Sequence, residues 1–446
     1  MACEWHSAPL GELISYIGKG VAPKYINDGP DATMVLGQKC VRNQALQYEQ
    51  ARFHNSAEKA VNPDKEVRKG DILVNATGVG SAGRVAQVMA DPSRQCITDG
   101  HVITLRAKDI NPFYLGYFVK SKQNTIELMA EGSTGQTEMN RQRLQNEIIV
   151  TFPESKDLQK RIAEYGLAID KKIAVNNQLN DYLLELATVR FEQELAKESK
   201  TYRFSELIEL EDSKRVPLNS RDRKVRKGSY PYYGATSIMD YVDDYLFDGI
   251  RVLLGEDGTV IREDGKPVLQ YVWGKYWVNN HAHILKSKVD YSLEAIYIAL
   301  ARTTINHIVT GAVQMKISQK NLNDLELEMP TASSLDYLED IFALYRSNAE
   351  ESKKLEILRD VLLPKLLSGK IDVSKVDLTQ LTNNHLLVRG HNVPNRYWKE
   401  HLWKPSLIMF CHRCRTCSIR RSSNIWPKYS ESRYCQLRKH QRRRIC

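Results

Sequence analysis

An internal duplication restricts this chain to folds built from two similar units. The segment ITDGHVITLRAKDINPFYLGYFVKS, from Ile97, has a counterpart in VNNHAHILKSKVDYSLEAIYIALAR, from Val278, and a second matching pair starts at Ser133 and Val309. Residues at equivalent positions are His101 and His281, Leu105 and Leu285, Gly135 and Gly311, Met139 and Met315, and Pro153 and Pro330. The unit is too long for a solenoid repeat, so two pseudo-symmetric domains are predicted.

Both copies follow one order: strand, helix, Thr-Gly loop, strand, proline and then a long helical segment. Each half also opens with short apolar runs bounded by glycine and aspartate, as in VRKGDILVNATGVG and FDGIRVLLGEDGTV. Such runs are typical of strands joined by tight turns. The predicted fold class is therefore α+β, with two pseudo-repeated α/β domains that are each followed by a long helix.

The two helical segments have the apolar spacing of a coiled coil. From Asp157 to about Ala196, and from Leu335 to about Ser368, apolar residues recur at intervals of three and four. Both are polar in the middle, around Lys172 and Asn176 in the first and Ser352 in the second. Two ordinary amphipathic helices with a break are the alternative. We predict an antiparallel pair that holds the domains a fixed distance apart.

These patterns divide the chain into five segments. Pro364 should kink or end the second long helix, because proline lacks an N–H and clashes with the preceding turn. The predicted segments are a first domain at 1–156, a helix at 157–198, a second domain at 199–334, a helix at 335–370 and a basic, cysteine-rich tail at 371–446.

The net charge of +10 belongs to the tail rather than to the body of the chain. Residues 379–446 contain 15 Lys and Arg but two acids, which leaves 49 basic and 52 acidic residues elsewhere. The tail also contains Cys411, Cys414 and Cys417, whose spacing suits zinc, but it lacks a second CxxC pair. We expect a disordered tail or an out-of-frame product rather than a metal site.

No catalytic centre is predicted. Residues 78–83 fit the GxGxxG pattern of nucleotide-binding loops, but residues 84–88 include the β-branched Val85 and Val88, and 91–92 are Asp-Pro, as in the second strand of a hairpin. His281 and His283 could bind a metal, although alternating polar residues on an exposed strand face are the commoner explanation. We therefore predict no catalytic and no metal-binding residues.

The sequence signals for DNA binding are stronger than those for catalysis or metal binding. The segment 214–227, KRVPLNSRDRKVRK, has seven basic residues and one acid, and an aromatic run follows it. A solvated basic loop is the alternative. The DNA-binding residues predicted in the second half are Lys214, Arg215, Arg221, Arg223, Lys224, Arg226, Lys227, Tyr232 and Tyr233. In the first half, some side chains are of types that can pair with phosphates or base edges. The DNA-binding residues predicted there are Gln38, Lys39, Arg42, Asn43, Gln44 and Arg52.

The sequence gives no membrane signal. No apolar stretch approaches the roughly 18 residues of a membrane span, and the N-terminus lacks the features of a signal peptide. Cys3, Cys40 and Cys96 are scattered without pairing logic, which suits a reducing compartment. A cytoplasmic protein without a membrane segment is expected.

Several of these strings resemble the DNA specificity subunits of type I restriction-modification systems. The resemblance is carried by KGSYPYYGATSIMDYVDDYLFDGIRVLLGEDGTV, WVNNHAHIL, KGDILVNATGVGSAGRVAQV and TDGHVITLR, and it covers essentially residues 1–378. It implies a non-catalytic subunit in which each domain reads one half of a bipartite DNA target. The two helices would act as a ruler that sets the gap, and family members typically end soon after the second helix.

The resemblance also implies partners. These are double-stranded DNA, two modification subunits that bind S-adenosylmethionine and methylate adenine, and restriction subunits that use ATP and Mg. No cofactor is then expected on this chain itself. The alternatives are a stand-alone S-adenosylmethionine-dependent DNA methyltransferase and a coiled-coil scaffold without a DNA role.

Overall fold

The computed structural model of the protein describes residues 4–30, 32–131, 138–311 and 314–373. The cysteine-rich tail beyond residue 373, with the predictions made for it, lies outside the described residues. So does Gly135 of the first Thr-Gly loop.

The first domain consists of short strands and three short helices. Its strands are β1 (Trp5–Pro9), β2 (Ile14–Lys19), β3 (Tyr25–Ile26), β4 (Ala32–Leu36), β5 (Val41–Arg42), β6 (Ala45–Leu46), β7 (Arg52–Asn55), β8 (Ile72–Asn75), β9 (Val85–Gln87), β10 (Cys96–Thr98), β11 (Val102–Ala107), β12 (Ala130–Glu131), β13 (Glu138–Met139) and β14 (Ile149–Pro153). Its helices are α1 (Pro112–Ser121), α2 (Gln123–Leu128) and α3 (Arg141–Glu147).

The first long helix, the second domain and the second long helix follow in chain order. The helices are α4 (Lys156–Lys197), α5 (Phe204–Leu207), α6 (Ser220–Val225), α7 (Leu293–Arg302), α8 (Gln319–Asn323) and α9 (Tyr337–Leu367). The strands are β15 (Ser199–Arg203), β16 (Ile208–Leu210), β17 (Lys227–Tyr233), β18 (Ile238–Val242), β19 (Phe247–Asp248), β20 (Arg251–Gly255), β21 (Leu269–Val272), β22 (Lys275–Val278), β23 (Ala282–Ser287), β24 (Val309–Thr310), β25 (Lys316–Ile317) and β26 (Glu326–Pro330).

The two domains share one topology. An antiparallel sheet has the order β2-β11-β8-β9 in the first domain and β16-β23-β20-β21 in the second. In a second sheet, β10 runs parallel to β4, and β22 runs parallel to β17 in the same way. The strand before each long helix pairs with the first strand of its domain, as β1-β14 and β15-β26. The predicted α+β duplication is confirmed.

The equivalence extends to single hydrogen bonds. The N–H of Ala76 donates to the carbonyl of His101, and the N–H of Glu256 donates to that of His281, at 2.7 and 2.8 Å. Each histidine N–H in turn donates to the side chain two residues earlier, which is Asp99 or Asn279. The match of His101 with His281, seen in the sequence, therefore reflects the same local backbone in both domains.

The long helices begin and end close to the predicted residues. Ser155 caps α4 by accepting a hydrogen bond from the N–H of Leu158. Pro364 was predicted to kink or end α9, but the helix continues for three more residues to Leu367. Pro364 therefore does not end the helix, and the end predicted near Ser368 from the apolar spacing is confirmed. In this last turn the carbonyl of Pro364 accepts a hydrogen bond from the N–H of Ser368.

The two long helices pack antiparallel through a polar midsection. Asn176 donates to the Ser352 hydroxyl, and Asn180, further along α4, contacts Asn348, which comes earlier in α9. Lys172 forms an ion pair of 2.9 Å with Glu351. The predicted antiparallel pairing is confirmed. Because Asn176 and Ser352 are buried at this crossing, hydrogen bonds hold the pair in one register.

Each domain has its own apolar core, and each core includes both long helices. The first core combines α1 and Ile162–Ile169 of α4 with Leu363, Leu366 and Leu367 at the end of α9. The second core combines α7 with Ala187 and Phe191 of α4 and with the start of α9. The first domain is therefore completed by residues more than 200 positions away along the chain.

No helix among the described residues combines the length and the apolar character needed to cross a membrane.

Candidate nucleic-acid interface

The basic segment 214–227 forms a loop, the short helix α6 and the start of β17. Asn219 caps α6 by accepting hydrogen bonds from the N–H groups of Arg221 and Asp222. Arg221 and Lys224 project from this helix into solvent. Among the described residues, neither side chain forms an ion pair, so both cations are available for a phosphate.

Arg215 does not belong to this exposed set, and its prediction as a DNA contact is corrected. Its side chain is 13% exposed and donates to the carboxylate of Glu256 at 2.6 Å and to the carbonyl of Ala282 at 2.8 Å. Its guanidinium also lies 3.6 Å from the carboxylate of Asp212. Arg215 is therefore a largely buried structural cation that ties the basic segment to β23.

His283 is the fourth member of this buried group. It was expected on an exposed strand face, but its side chain is fully buried, with its ring nitrogens 2.6 Å from Asp212 and 2.9 Å from the carbonyl of Ile317. Burial alone raises the pKa of Asp212, but hydrogen bonds from His283, Ile284 and Gln319 hold it below its usual value. Asp212, Glu256 and His283 lie close enough to ligate a cation, but Arg215 already pairs with both carboxylates.

Tyr232 and Arg223 are also corrected as DNA contacts. Tyr232 is 1% exposed, and its hydroxyl accepts a hydrogen bond of 2.9 Å from the N–H of Leu218. Arg223, 15% exposed, donates to the carbonyl of Leu218 at 2.7 Å and lies 3.5 Å from Asp240. Both side chains therefore fasten the loop before α6 to the sheet through contacts within the protein.

Three of the other predicted residues of the second domain, all cations, lie at the surface with acidic neighbours. Lys214 pairs with Glu211 and Lys227 with Asp240, both at 2.7 Å. The remaining two are Arg226, which pairs with Asp243 at 2.9 Å and lies over the ring of Trp277, and the half-buried Tyr233. Their role as DNA contacts stays a prediction, because intramolecular ion pairs at a surface exchange readily for a phosphate.

In the first domain, three of the six predicted residues share one cleft. Gln38, Lys39 and Arg52 line it together with Asp99 and His101. The amide of Gln38 donates to the carbonyl of Thr77 at 2.7 Å, and Arg52 lies over the ring of Tyr25, 3.8 Å from its centre. The cleft offers amide, imidazole and guanidinium groups side by side, which are side-chain types used for base and phosphate contacts.

The other three, Arg42, Asn43 and Gln44, lie on a different face. They form the turn of the hairpin β5-β6, in which Asn43 and Gln44 have positive φ angles of 53° and 58°, as in a type I′ turn. Their side chains line a cleft whose opposite wall is formed by α4 and α9. The structure therefore separates this hairpin from the Gln38 cleft, although the two are adjacent in sequence.

The glycine string at residues 78–83 connects the antiparallel strands β8 and β9. The expected hairpin is confirmed, and no helix follows Gly83 to hold a pyrophosphate. This removes the residue pattern on which the stand-alone methyltransferase alternative depends.

The sequence predictions missed one pair of equivalent side chains beside these sites. In the first domain the ring of His101 is 2.9 Å from the hydroxyl of Thr77, and in the second the ring of His281 bonds to the carboxylate of Asp257. The alignment of the two histidines was the signal that could have identified them. We regard both as candidate functional residues because each lies in the loop just before a strand of the four-stranded antiparallel sheet, β11 in the first domain and β23 in the second.

The protein is thus built from two copies of one α/β domain on an antiparallel helix pair. The sequence profile of the family described as type I restriction modification DNA specificity domain matches residues 4–185 and again residues 196–356. The chain belongs to this family and contains two such domains.

Similar proteins include relatives of this type. Over 128 residues the chain is 30% identical to a Haemophilus influenzae protein named as a type I restriction enzyme specificity subunit, a match that covers 29% of this chain and 32% of the relative. The S subunit of a type I restriction-modification system from M. genitalium is 16% identical, with a TM-score of 0.46 and coverage of 83% of this chain and 97% of that one. The HsdS subunit from Thermoanaerobacter tengcongensis is 14% identical, with a TM-score of 0.33 and coverage of 82% and 97%.

Proposed function

We propose that this chain is the DNA specificity subunit of a type I restriction-modification system. Each domain reads one half of a bipartite DNA sequence, and the helix pair sets the distance between the halves. The observation that carries the proposal is the placement of two copies of one domain at opposite ends of an antiparallel helix pair. A scaffold without a DNA role would not require two domains that share one topology and the same loop hydrogen bonds at His101 and His281.

The spacing of the domains supports the proposal quantitatively. On α4, the first core packs at Ile162–Ile169 and the second at Ala187 and Phe191. The midpoints of these contacts differ by about 24 residues, which corresponds to about 35 Å at the rise of an α-helix. One turn of B-DNA is about 34–36 Å long, so both domains can face the same side of a duplex.

The partners follow from this role. We propose double-stranded DNA as the ligand, two modification subunits that bind S-adenosylmethionine and methylate adenine, and restriction subunits that use ATP and Mg. The chain itself would carry out no reaction and bind no cofactor, and it would act in the cytoplasm.

A methylation map of the host genome tests the proposal. Deleting the gene should remove adenine methylation at one bipartite, asymmetric motif whose two halves are centred about 10 base pairs apart, one helical turn. Restoring the gene provides the control. An unchanged methylation pattern after deletion would contradict the proposal.

The free cations of α6 give a second prediction. Changing Arg221 and Lys224 together to alanine should weaken DNA binding and lower the slope of log K against log salt by about 2, close to one unit per lost phosphate contact. Changing Lys160 and Lys171 on α4 to alanine removes the same charge and serves as the control. Equal slopes for the two double variants would exclude α6 from the DNA contact surface.

A further inference from the structure

The first domain is fastened to the helix pair by a charged residue of α4. Asp170 accepts hydrogen bonds from the hydroxyl of Tyr117 at 2.7 Å and from the guanidinium of Arg359 at 2.9 Å. The buried ammonium group of Lys120 lies 3.5 Å away. One carboxylate therefore joins α1 of the domain, α4 and α9.

The second domain is fastened by a charged residue of α9. Arg346 donates to the carboxylate of Glu294 on α7 at 3.1 Å, and also to the hydroxyl of Tyr271 on β21. Tyr271 in turn donates to Glu294 at 2.6 Å. This junction again combines a tyrosine hydroxyl with a charged group of the domain, but the helix now supplies the cation.

The two junctions occupy matching places. Asp170 lies six residues before Asn176, and Arg346 lies six residues before Ser352. Since Asn176 and Ser352 are in contact where the antiparallel helices cross, the junctions lie on either side of this crossing, each about 9 Å away along its helix.

Both junctions lie at the inner edge of a domain core. Asp170 directly follows Ile169, a core residue on α4, and Arg346 lies one turn after Phe342, a core residue on α9. Apolar packing is non-directional and tolerates small rotations. Hydrogen bonds to charged groups are strong and directional, so a junction at the core edge resists rocking of the domain on its helix.

Such rocking matters for a bipartite target. Adding one base pair between the halves moves the second half by about 3.4 Å and turns it by about 35° around the duplex. A protein with freely rocking domains would accept several spacers, whereas one with fixed domains would accept one.

We propose that Asp170 and Arg346 are positioning residues that set the orientation of the two domains, and that this orientation restricts the protein to one spacer length. The inference rests on the proposed function. It assigns spacer choice to two side-chain junctions in addition to the length of the helices.

The test uses the full chain in its host, with Asp170→Asn or Arg346→Gln in place of the natural gene. Methylated adenines should map to unchanged half-sites. The share of methylated sites whose spacer is one base pair longer or shorter should rise about tenfold. A tenfold change corresponds to ~1.4 kcal/mol less discrimination between spacers. Tyr117→Phe and Tyr271→Phe remove one hydroxyl each and provide milder variants if the first two fold poorly.

Two controls separate positioning from stability. Lys160→Gln alters an exposed ion pair on α4, and Ile296→Val weakens the second core, and both should keep the single spacer. Strict spacer choice in every junction variant would overturn the inference, as would loss of methylation at all spacers in the two tyrosine variants at normal protein levels. If the natural protein gives no bipartite motif, the proposed function fails instead.

Discussion

Replacing Arg215 by alanine should lower the free energy of unfolding of the second domain by about 3 kcal/mol while leaving the salt slope of DNA binding unchanged. The side chain is the cation between the carboxylates of Asp212 and Glu256, and it also bonds to the carbonyl of Ala282. Removing one partner from a buried ionic group costs about 3–5 kcal/mol, because the remaining charges stay buried without compensation.

Urea unfolding measures the first effect, and DNA titrations at several salt concentrations measure the second. Lys224→Ala is the matched control, since this side chain is exposed on α6. It should change the free energy of unfolding by less than about 0.5 kcal/mol but reduce the salt slope. A stable Arg215→Ala variant with a reduced slope would instead restore Arg215 as a DNA contact.

Replacing Leu366 by alanine should destabilise the first domain by about 3 kcal/mol, although the residue lies near the end of the second long helix. Leu366 is fully buried in the first core, and truncation of a buried leucine costs about 2–5 kcal/mol. The neighbouring carbonyl of Leu367 accepts a hydrogen bond from the buried hydroxyl of Tyr114, which adds to the same contact.

Hydrogen exchange locates this effect. Protection should fall in β1 and β14 of the first domain and remain unchanged in β15 and β26 of the second. Leu358→Ala removes the same atoms from a position on α9 that is 38% exposed, so it should cost less than about 1 kcal/mol. Loss of protection confined to the second domain would contradict the assignment of Leu366 to the first core.

The architecture could be predicted because its signals are local or repeated. The spacing of apolar residues located α4 and α9 to within about two residues, and the duplication established that the two domains share a topology. Pro364 shows the limit of such rules. One proline in a last turn removes a single hydrogen bond, and the packing of Leu366 and Leu367 against the first core outweighs it.

The candidate site was less predictable, because burial depends on partners that are distant in sequence. Arg215 and Lys224 are both cations of one segment, but Glu256 and Ala282 bury the first and leave the second in solvent. Similarly, the left-handed turn at Asn43 and Gln44 directs that hairpin towards the long helices. No local pattern distinguishes a buried structural cation from a free one.

The contribution of α9 to the first core fixes the order in which the chain can fold during synthesis. The last strand of the first domain ends at Pro153, but Leu366 emerges from the ribosome about 210 residues later, an interval of about 10–40 s at common translation rates. The second core needs nothing beyond Phe342 and its neighbours. The domain that is made first is therefore finished last, and its unfilled apolar groove must stay protected from aggregation while the rest of the chain is made.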